Sequence, residues 1–198
     1  MLQASDQVLA FDPSAQQVLQ RVFRPIAPEH WLLLPHEVPA LSAQEQQQLA
    51  QWQQNKTRKS GRIGLVGQIG SDYKGVKKVH ELIAALAQEN LPFEVVAIGQ
   101  VSPKPTDSTR YRETGPYKAP DLLKLVIENN IDIFFFSSEG PETFSYVLHE
   151  IERFSLPIAA FNIGAQATFL AQYPQGISLE THENARDIAN KLKPFLQN

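Results

Sequence analysis

Apolar and polar positions follow two different periods along most of the chain. Short apolar runs of strand length alternate with longer segments that carry an apolar residue every three or four positions. The runs include RIGLVG, FEVVAIG, IDIFFF and PIAAF. Strands that are apolar on both faces are typical of a parallel sheet covered by helices on both sides. The pattern therefore predicts an α/β fold with a doubly wound, Rossmann-like parallel sheet.

The front of the chain has shorter elements. VLAF, AQQVLQRVF and WLLLP predict a strand, a helix and a second strand within residues 1–40. About 35 residues bury too little surface for a stable domain, so we expect them to pack on a larger domain or to be the tail of one outside this sequence. The polar, glutamine-rich residues 41–61 predict a partly helical linker. Residues 62–198 are then the main domain.

Composition narrows the class of protein. The 198 residues carry a net charge of −3 without a long run of either sign, which argues against a nucleic-acid partner or a polybasic membrane anchor. The sequence has no cysteine, which excludes disulfides and thiolate metal sites and fits a reducing compartment. No apolar run approaches the roughly 20 residues that span a bilayer. We expect a cytoplasmic protein without a transmembrane segment.

A glycine-containing loop follows the first strand of the main domain. It reads GQIGSDYKG and offers Gly67, Gly70 and Gly75 for close backbone approach to a ligand, with Lys74 as a positive charge. Ligands of doubly wound sheets lie at the carboxyl ends of strands, where helix N-termini favour anions. The loop is suited to a diphosphate. An ordinary turn with a solvated lysine fits the same spacing, because no full GxGxxG is present.

A second loop, SSEGPETFSYVLHE, follows the strand IDIFFF. Gly140 and Pro141 break the chain, and Thr143 is expected to cap the next helix. The first free N–H groups of that helix would belong to Phe144, Ser145 and Tyr146. A third loop, NIGAQATF, enters a helix at the same edge of the sheet, and a plain helix start explains it equally well.

Glu142 and Glu150 stand at the two ends of this segment. Two helical turns would separate them by about 12 Å, roughly the span from a transferred sugar across two phosphates to a ribose. Carboxylates accept hydrogen bonds from paired sugar hydroxyls, so the pair suits both ends of a sugar nucleotide. Two unrelated glutamates on a surface helix have the same spacing. The spacing alone does not decide between these interpretations.

Other candidates point to structural roles. His36, His80 and His149 lack metal-ligand spacing and are expected to be structural or surface residues. No Asp-x-Asp pair suggests a bound divalent cation, so no metal site is predicted. Residues 134–136, three consecutive phenylalanines, are expected in the core.

Taken in order, the three loops resemble motifs of the GT4 family of retaining glycosyltransferases (glycosyl transferases group 1). Glu142 to Glu150 reads as the family's E-x7-E signature, and Lys74 with Gly75 matches the K-G of its first phosphate loop. LPIAAFNIGA is similar to the family's G-P-V-V-A-x-x-x-G-G. The resemblance covers most of residues 60–180 and implies the C-terminal donor-binding half of a GT-B enzyme.

The resemblance also implies roles for individual residues. Lys74 would hold the donor diphosphate, Glu142 the hydroxyls of the donor sugar and Glu150 the ribose, with Tyr117 near the base. Lys74 and Glu142 are the catalytic residues on this interpretation. Backbone N–H groups would assist at Gly70, Phe144, Ser145 and Tyr146. A hexose would move from a UDP-, GDP- or ADP-sugar by front-face displacement with retention, without a cofactor or metal.

The front of the chain resembles the last strand, helix and strand of a GT4 N-terminal domain. We therefore expect the acceptor-binding domain to lie outside this sequence, and the chain alone to fold without transferring sugar. A glycan or lipid-linked acceptor, and any peripheral contact with the inner face of the membrane, would come through that domain.

Several positions depart from the family pattern. Gln68, within the diphosphate site, stands where many members have an arginine, which removes one cation. Ile151 and Ser155 replace a small residue and a glycine, and residues 166–168 lack the glutamate common in the last loop. These departures fit either a divergent subfamily or a domain that has lost turnover. The missing arginine and the expected absence of the acceptor domain favour an alternative, a non-catalytic nucleotide-sugar-binding or scaffold module of a larger polysaccharide-related protein. A flavodoxin-like regulator would need an acidic cluster or flavin loop, neither of which the sequence contains.

Overall fold

The computed structural model describes residues 6–22, 26–107 and 109–197. Its strands are β1 (Val8–Ala10), β2 (Trp31–Leu33), β3 (Arg62–Ile69), β4 (Glu94–Val101), β5 (Tyr111–Glu113), β6 (Ile133–Phe136), β7 (Ile158–Phe161) and β8 (Gly176–Leu179). Its α-helices are α1 (Pro13–Val22), α2 (Ala43–Asn55), α3 (Val76–Gln88), α4 (Leu122–Glu128), α5 (Tyr146–Ile151), α6 (Gly164–Gln172) and α7 (Ala185–Leu192).

Strands β3 to β8 form a six-stranded sheet in the order β5-β4-β3-β6-β7-β8, and every neighbouring pair is parallel. The chain runs outward from β3 through β4 to β5, then crosses back and runs outward again from β6 to β8. The order therefore reverses between β3 and β6, which is where doubly wound sheets bind ligands. The predicted doubly wound Rossmann-like fold is confirmed.

Apolar side chains fill a layer on each face of this sheet. Phe135 points into the layer that contains α3 and α7, whereas Phe134 and Phe136 point into the layer that contains α2, α4 and α5. All three rings are buried, as predicted. This alternation is the two-residue period of a strand, and it explains why a strand covered on both faces is apolar throughout.

One element of the sheet was not predicted. The edge strand β5 is only three residues long and its sequence, YRE, is mostly polar. Arg112 lies beside the neighbouring strand, and its Nε is 2.6 Å from Oε1 of Glu94. Charged side chains are usual on edge strands, so the apolar pattern that identified the other strands is missing here.

Helix α2 attaches residues 41–61 to the main sheet. Ser42 and Glu45 form a capping box at its start, with Ser42 N–H donating to Glu45 Oε2 at 2.8 Å. Leu49 is buried in the layer that contains α4, and Trp52 packs beside it. Past the helix, Lys56 Nζ lies 2.8 Å from Oδ1 of the buried Asp132. The predicted helical part of this segment is thus packed on the domain.

The front segment, residues 6–22 and 26–35, also packs on the main domain. Strands β1 and β2 pair in parallel, and α1 lies against α6. Asp12 is buried at the start of α1, where its Oδ1 accepts from Ser14 N–H at 2.8 Å and from Thr168 Oγ1 at 3.2 Å. These contacts fit the first of the two expectations, that the front elements pack on a larger domain. Phe23, the end of the predicted front helix, lies outside the described residues.

Within the described ranges, no helix is both long enough and apolar enough to cross a membrane.

Candidate functional site

Two loops meet at the point where the strand order reverses. The first loop, residues 70–75, follows β3, and the second loop, residues 137–145, follows β6. Ser137 Oγ donates to the carbonyl oxygen of Lys74 at 2.8 Å, and Ser138 Oγ donates to that of Tyr73 at 3.1 Å. The two serines that follow the strand therefore bind the backbone of the other loop.

Glycines allow this close contact between the loops. Gly75 has a φ of 75°, and a Cβ at this position would lie 1.7 Å from the carbonyl oxygen of Ser137. A Cβ at Gly140 would lie 2.0 Å from Cε2 of the Tyr73 ring. The hydroxyl of Tyr73 donates to the carbonyl oxygen of Pro141 at 2.5 Å. The backbone of Ser137 excludes a side chain at Gly75, and the ring of Tyr73 excludes one at Gly140.

Gln166, on the helix after the third loop, holds the second loop from the other side. Its side chain is fully buried, with Nε2 donating to the carbonyl oxygen of Gly140 at 2.8 Å. Its Oε1 accepts from the N–H of Glu142 at 3.0 Å, and the N–H of Ala165 donates to the Glu142 carbonyl at 2.9 Å. This role of Gln166 was not predicted, because a single amide side chain in an apolar helix does not indicate which backbone groups it binds.

Lys74 and Glu142, the two predicted catalytic residues, are in direct contact. Lys74 Nζ lies 2.5 Å from Glu142 Oε1, although 68 positions separate them in the chain. The side chain of Lys74 is 45% exposed and that of Glu142 is 11% exposed. Both line an open cavity of about 360 Å³ whose walls include Tyr73, Phe144 and Tyr146. The loops thus place one cation and one carboxylate at the mouth of a cavity.

A smaller cavity of about 130 Å³ adjoins the first, and Lys74 lines both. Gln68 lines the smaller one, but its Nε2 donates across the sheet to Gln100 Oε1 at 3.3 Å. Gly70 is exposed, and a Cβ there would meet only the carbonyl oxygen of Ser102, at 3.9 Å. The space beside Gly70 leaves its backbone open to a ligand.

The start of helix α5 differs from the prediction. Ser145 is the N-cap and accepts from Leu148 N–H at 3.4 Å, so the predicted capping by Thr143 is wrong. The contacts of Gln166 and Ala165 with Glu142 tether the chain before Thr143, and the helix begins only at Tyr146. The first helical N–H groups, which lack intrahelical acceptors, are those of Tyr146 onward. Phe144 and Ser145 precede them.

The ring of Phe144 lies between two histidines. His149 stacks on it with ring centroids 4.6 Å apart, and His36 meets it edge-on at 5.1 Å. His36 also stacks on Phe11 at 4.0 Å and lies 4.9 Å from the ring of Tyr146. The two histidines have the structural contacts that were predicted for them. His36 connects Phe11 of the front segment to the loop that carries Glu142.

Glu150 lines a different cavity from Glu142. This cavity, of about 240 Å³, lies between the start of α2, the start of α4 and the end of α5. Burial raises the pKa of the Glu150 carboxyl, an effect that nearby Arg153 partly offsets. Burial and the negative charge of Glu150 together raise the pKa of Tyr117 to about 12. The charge of Glu150 thus affects Tyr117, but Tyr117 lines a separate cavity of about 280 Å³, and Glu150 does not line the Lys74 cavity.

Glu150→Gln is expected to stabilise the free protein slightly at pH 7. A carboxyl whose pKa is raised on folding costs stability while it is charged, and this cost disappears as the pH falls through the folded pKa. The expected gain is on the order of 0.5 kcal/mol at pH 7 and should vanish near pH 4. Thermal unfolding followed by circular dichroism at both pH values measures it.

Glu37→Gln, at an exposed glutamate, is the control and should change little at either pH. A lower unfolding midpoint for Glu150→Gln at pH 7 would show that the charged carboxylate stabilises the fold, contrary to this expectation.

Within the described ranges, no group of three or more histidine, aspartate and glutamate side chains is arranged to hold a metal ion. His80 Nε2 lies 2.8 Å from the carbonyl oxygen of Pro103.

Comparisons with known proteins give matches only among solved structures. No protein-family model matches the sequence, and no curated protein matches it significantly. Sucrose-phosphate synthase from Thermosynechococcus elongatus has a TM-score of 0.69 and 17% identity, over 98% of this chain and 50% of that chain. Anabaena HepE in complex with UDP-glucose has a TM-score of 0.68 and 20% identity, over 96% of this chain and 54% of HepE.

A third structure, TarM from S. aureus, has a TM-score of 0.74 and 15% identity, over 99% of this chain and 38% of TarM. The chain therefore spans about half the length of the first two structures and less of the third. At these identities the likeness establishes the fold alone. The chain has the fold of the Rossmann-like half of GT-B glycosyltransferases.

Proposed function

We propose that this chain is the donor-binding half of a retaining, GT4-type glycosyltransferase that transfers a hexose from a nucleoside-diphosphate sugar. The observation that carries the proposal is the contact between Lys74 and Glu142 at the reversal point of the sheet. A cation for a diphosphate and a carboxylate for sugar hydroxyls are the two groups that such a donor requires. HepE, which has the same fold, was crystallised with UDP-glucose, and this supports the assignment.

In this mechanism the diphosphate replaces Glu142 as the partner of Lys74. Without a donor, each of the two charged side chains has the other as its nearest opposite charge. A bound diphosphate brings two negative charges to Lys74 Nζ, which releases the Glu142 carboxylate to accept hydrogen bonds from the sugar. The ion pair therefore holds both groups in position while the site is empty.

The leaving diphosphate also meets the start of helix α5. The N–H groups of Tyr146 and Val147 have no intrahelical acceptors, and both residues line the same cavity as Lys74. Preorganised donors and positive charge stabilise an anion as it develops. In front-face transfer, the bond from the anomeric carbon to the diphosphate oxygen breaks while the acceptor oxygen bonds on the same face. The acceptor proton passes to the departing phosphate oxygen.

Glu150 is assigned to the ribose and Tyr117 to the vicinity of the base. The cavity that Glu150 lines is separate from that of Lys74, so a donor that reaches both extends along helix α5. We propose that the acceptor binds to a second domain outside this sequence, since this chain spans about half the length of the first two structures. We expect the chain alone to bind nucleotide without transferring sugar.

Calorimetric titration with UDP, GDP and ADP tests the proposal. We expect at least one nucleotide to bind with a Kd below about 1 mM. Lys74→Ala should weaken that binding about tenfold or more, because it removes a charge-assisted contact with the diphosphate. Lys77→Ala is the matched control, since Lys77 is 70% exposed and pairs with Asp72 at the start of α3. If none of the three binds at millimolar concentration, the donor assignment is refuted.

The variant Glu142→Gln distinguishes diphosphate binding by Lys74 from sugar binding by Glu142. Removing the carboxylate frees Lys74, so the affinity for UDP alone should rise about twofold to fivefold, as expected for a partly exposed ion pair. The additional affinity for UDP-glucose over UDP should fall, because an amide replaces the sugar-binding carboxylate. A loss of UDP affinity in this variant would contradict the exchange of partners.

The alternative function is a non-catalytic nucleotide-sugar-binding module. The observation that favours it is Gln68, which donates to Gln100 and supplies no cation to the site. Such a module would bind nucleotide sugars yet transfer none. Transfer of radiolabelled sugar by the protein together with an acceptor domain would exclude this alternative.

A further inference from the structure

Tyr73 binds the second loop of the candidate site with both its backbone and its side chain. Its carbonyl oxygen accepts hydrogen bonds from the N–H groups of Glu139 and Gly140, both at 3.1 Å, and from Ser138 Oγ at 3.1 Å. Its hydroxyl donates to the carbonyl oxygen of Pro141 at 2.5 Å. One residue of the first loop therefore holds four consecutive residues of the second loop.

The position of this contact in the chain places it beside the ion pair. Lys74 directly follows Tyr73, and Glu142 directly follows Pro141. The hydrogen bond between Tyr73 and Pro141 is therefore one residue away from each charged side chain, and the two charged groups are themselves 2.5 Å apart. The two contacts close a small ring through these four residues.

The hydroxyl bond is the part of this contact that a small substitution can remove. Proline has no N–H, so the carbonyl oxygen of Pro141 is the one backbone group of this residue that can form a hydrogen bond. The Tyr73 ring also lies against Gly140, where a Cβ would be 2.0 Å from the ring carbon Cε2. A phenylalanine at position 73 would keep the ring contact and the bonds to the carbonyl, and would lose only the bond to Pro141.

The hydroxyl of Tyr73 stabilises the loop although its ring lines the site. The ring is half-exposed and forms part of the cavity that contains Lys74 and Glu142. A tyrosine hydroxyl carries a single donor hydrogen, and in Tyr73 this hydrogen is bonded to Pro141. The group that could donate to a bound sugar is therefore already engaged by the second loop.

The two charged residues differ in how far they depend on the loop. Lys74 has a long, flexible stem and is 45% exposed, so its ammonium group reaches a diphosphate even when the loop shifts slightly. The Glu142 carboxylate is 11% exposed and has a shorter stem. Hydrogen bonds from sugar hydroxyls to it need distances of about 2.5–3.0 Å and near-linear geometry. A shift of the second loop should therefore weaken sugar binding more than diphosphate binding.

We propose that Tyr73 is a positioning residue for the donor sugar. Its hydroxyl holds the second loop so that Glu142 meets the sugar while Lys74 holds the diphosphate. Tyr73 acts through Glu142 and donates no hydrogen bond of its own to the donor. This inference rests on the proposed donor function, and it names the residue that sets the discrimination between a nucleotide sugar and the bare nucleotide.

Calorimetric titration of Tyr73→Phe tests the inference. In the wild-type chain, UDP-glucose, GDP-mannose and ADP-glucose are each compared with their own nucleoside diphosphate, and the pair with the largest ratio of Kd values is carried to the variants. We expect Tyr73→Phe to reduce this ratio about threefold to tenfold, as for one lost hydrogen bond. The Kd for the nucleoside diphosphate should change less than about twofold, because the contact of Lys74 with the diphosphate remains.

Tyr173→Phe is the matched control. The hydroxyl of Tyr173 also donates to a backbone carbonyl oxygen, that of Leu156, at 2.7 Å, but Tyr173 lies outside the lining of the Lys74 cavity. This variant should leave both Kd values unchanged. If Tyr73→Phe weakens both ligands equally, its role is a general structural one, and an unchanged ratio means that the hydroxyl does not position Glu142. Either result overturns the inference.

Hydrogen exchange of the ligand-free chain distinguishes this inference from the donor proposal. Followed by NMR, the N–H groups of Gly140 and Glu142 should exchange several-fold faster in Tyr73→Phe than in the wild type, and at the wild-type rate in Tyr173→Phe. Faster exchange in a chain that binds no nucleotide would refute the donor proposal, and the positioning role with it, but would retain the hydroxyl bond as a loop contact. Unchanged exchange in a chain that binds nucleotide sugars would refute the role of Tyr73 alone.

Discussion

Gly75→Ala is expected to lower the free energy of unfolding by about 3 kcal/mol and to abolish nucleotide binding. A residue with a Cβ costs about 1–2 kcal/mol in the left-handed conformation that Gly75 adopts, with its φ of 75°. The new Cβ would also lie 1.7 Å from the carbonyl oxygen of Ser137, a backbone atom that cannot rotate away. The loops must separate, at a further cost of about 1–3 kcal/mol. Their separation moves Lys74 away from Glu142.

Gly115→Ala is the matched control for this substitution. Gly115 has a φ of 79°, close to that of Gly75, but no atom lies within 4 Å of the Cβ position. It should therefore lose only the conformational cost of about 1–2 kcal/mol and keep nucleotide binding. Urea denaturation and calorimetry measure both effects. If both variants lose the same stability and keep nucleotide binding, the clash with Ser137 does not disturb the loops, contrary to this prediction.

Asp132→Asn is expected to destabilise the protein by about 3–5 kcal/mol, the usual cost of removing one partner of a buried ion pair. Asp132 is fully buried and Lys56 is 10% exposed. Asp132 Oδ2 also accepts from the N–H groups of Ser60 and Arg62, at 2.8 and 3.0 Å. Burial already lowers the pKa of Lys56, and Asp132 opposes this shift. Without the carboxylate the lysine keeps its desolvation cost and, among the described residues, retains only the carbonyl oxygens of Asn130 and Ile131 as hydrogen-bond partners.

Two further variants test the cause of that loss. Glu128→Gln breaks an exposed pair with Lys124, whose atoms are 3.8 Å apart, and should cost less than about 1 kcal/mol. Adding Lys56→Met to Asp132→Asn removes the unpaired charge and should recover part of the stability. If the double variant is no more stable than Asp132→Asn, the loss of stability comes from the broken hydrogen bonds of Asp132. It does not come from the unpaired charge of Lys56.

The sheet was predictable because its strands and helices differ in period. Runs such as IDIFFF carry the apolar signal of a doubly covered strand, and the parallel order brings their carboxyl ends to one edge. The positions of Lys74 and Glu142 at that edge follow from this rule. The strand YRE of β5 lacked the signal, because an edge strand with charged side chains resembles a loop.

The direct contact between Lys74 and Glu142 could not be predicted from the motifs. The family resemblance assigns these residues to different parts of a donor, and the sequence does not state what each binds when the donor is absent. Opposite charges at adjoining loops pair with each other when no ligand is bound. This long-range contact depends on the close approach of Gly75 to the Ser137 backbone and of Gly140 to the Tyr73 ring.

The cap of helix α5 was assigned to the wrong residue for a related reason. Thr143 and Ser145 are both good capping residues, so local preference does not choose between them. The choice is made by Gln166, whose amide fixes the N–H of Glu142 and delays the start of the helix. Glu142 and Gln166 are 24 positions apart in the chain, so the sequence around Thr143 and Ser145 does not reveal their contact.

The polar composition of residues 41–61 does not show that helix α2 packs on the main domain. Residues 41–61 are mostly polar and glutamine-rich, as a linker would be, yet Leu49 and Lys56 bind them to the main domain. A single buried leucine and one charged pair are too few to produce an apolar pattern.

The chain's two tryptophans provide separate optical probes of its two parts. Trp31 lies in β2 of the front segment, and Trp52 lies in α2, with Lys56 Nζ 4.4 Å from its ring centroid. Fluorescence from a Trp52→Phe protein would report release of the front segment, and fluorescence from a Trp31→Phe protein would report unfolding around the sheet. The order in which the two signals change on heating would show whether the front segment separates before the main domain unfolds.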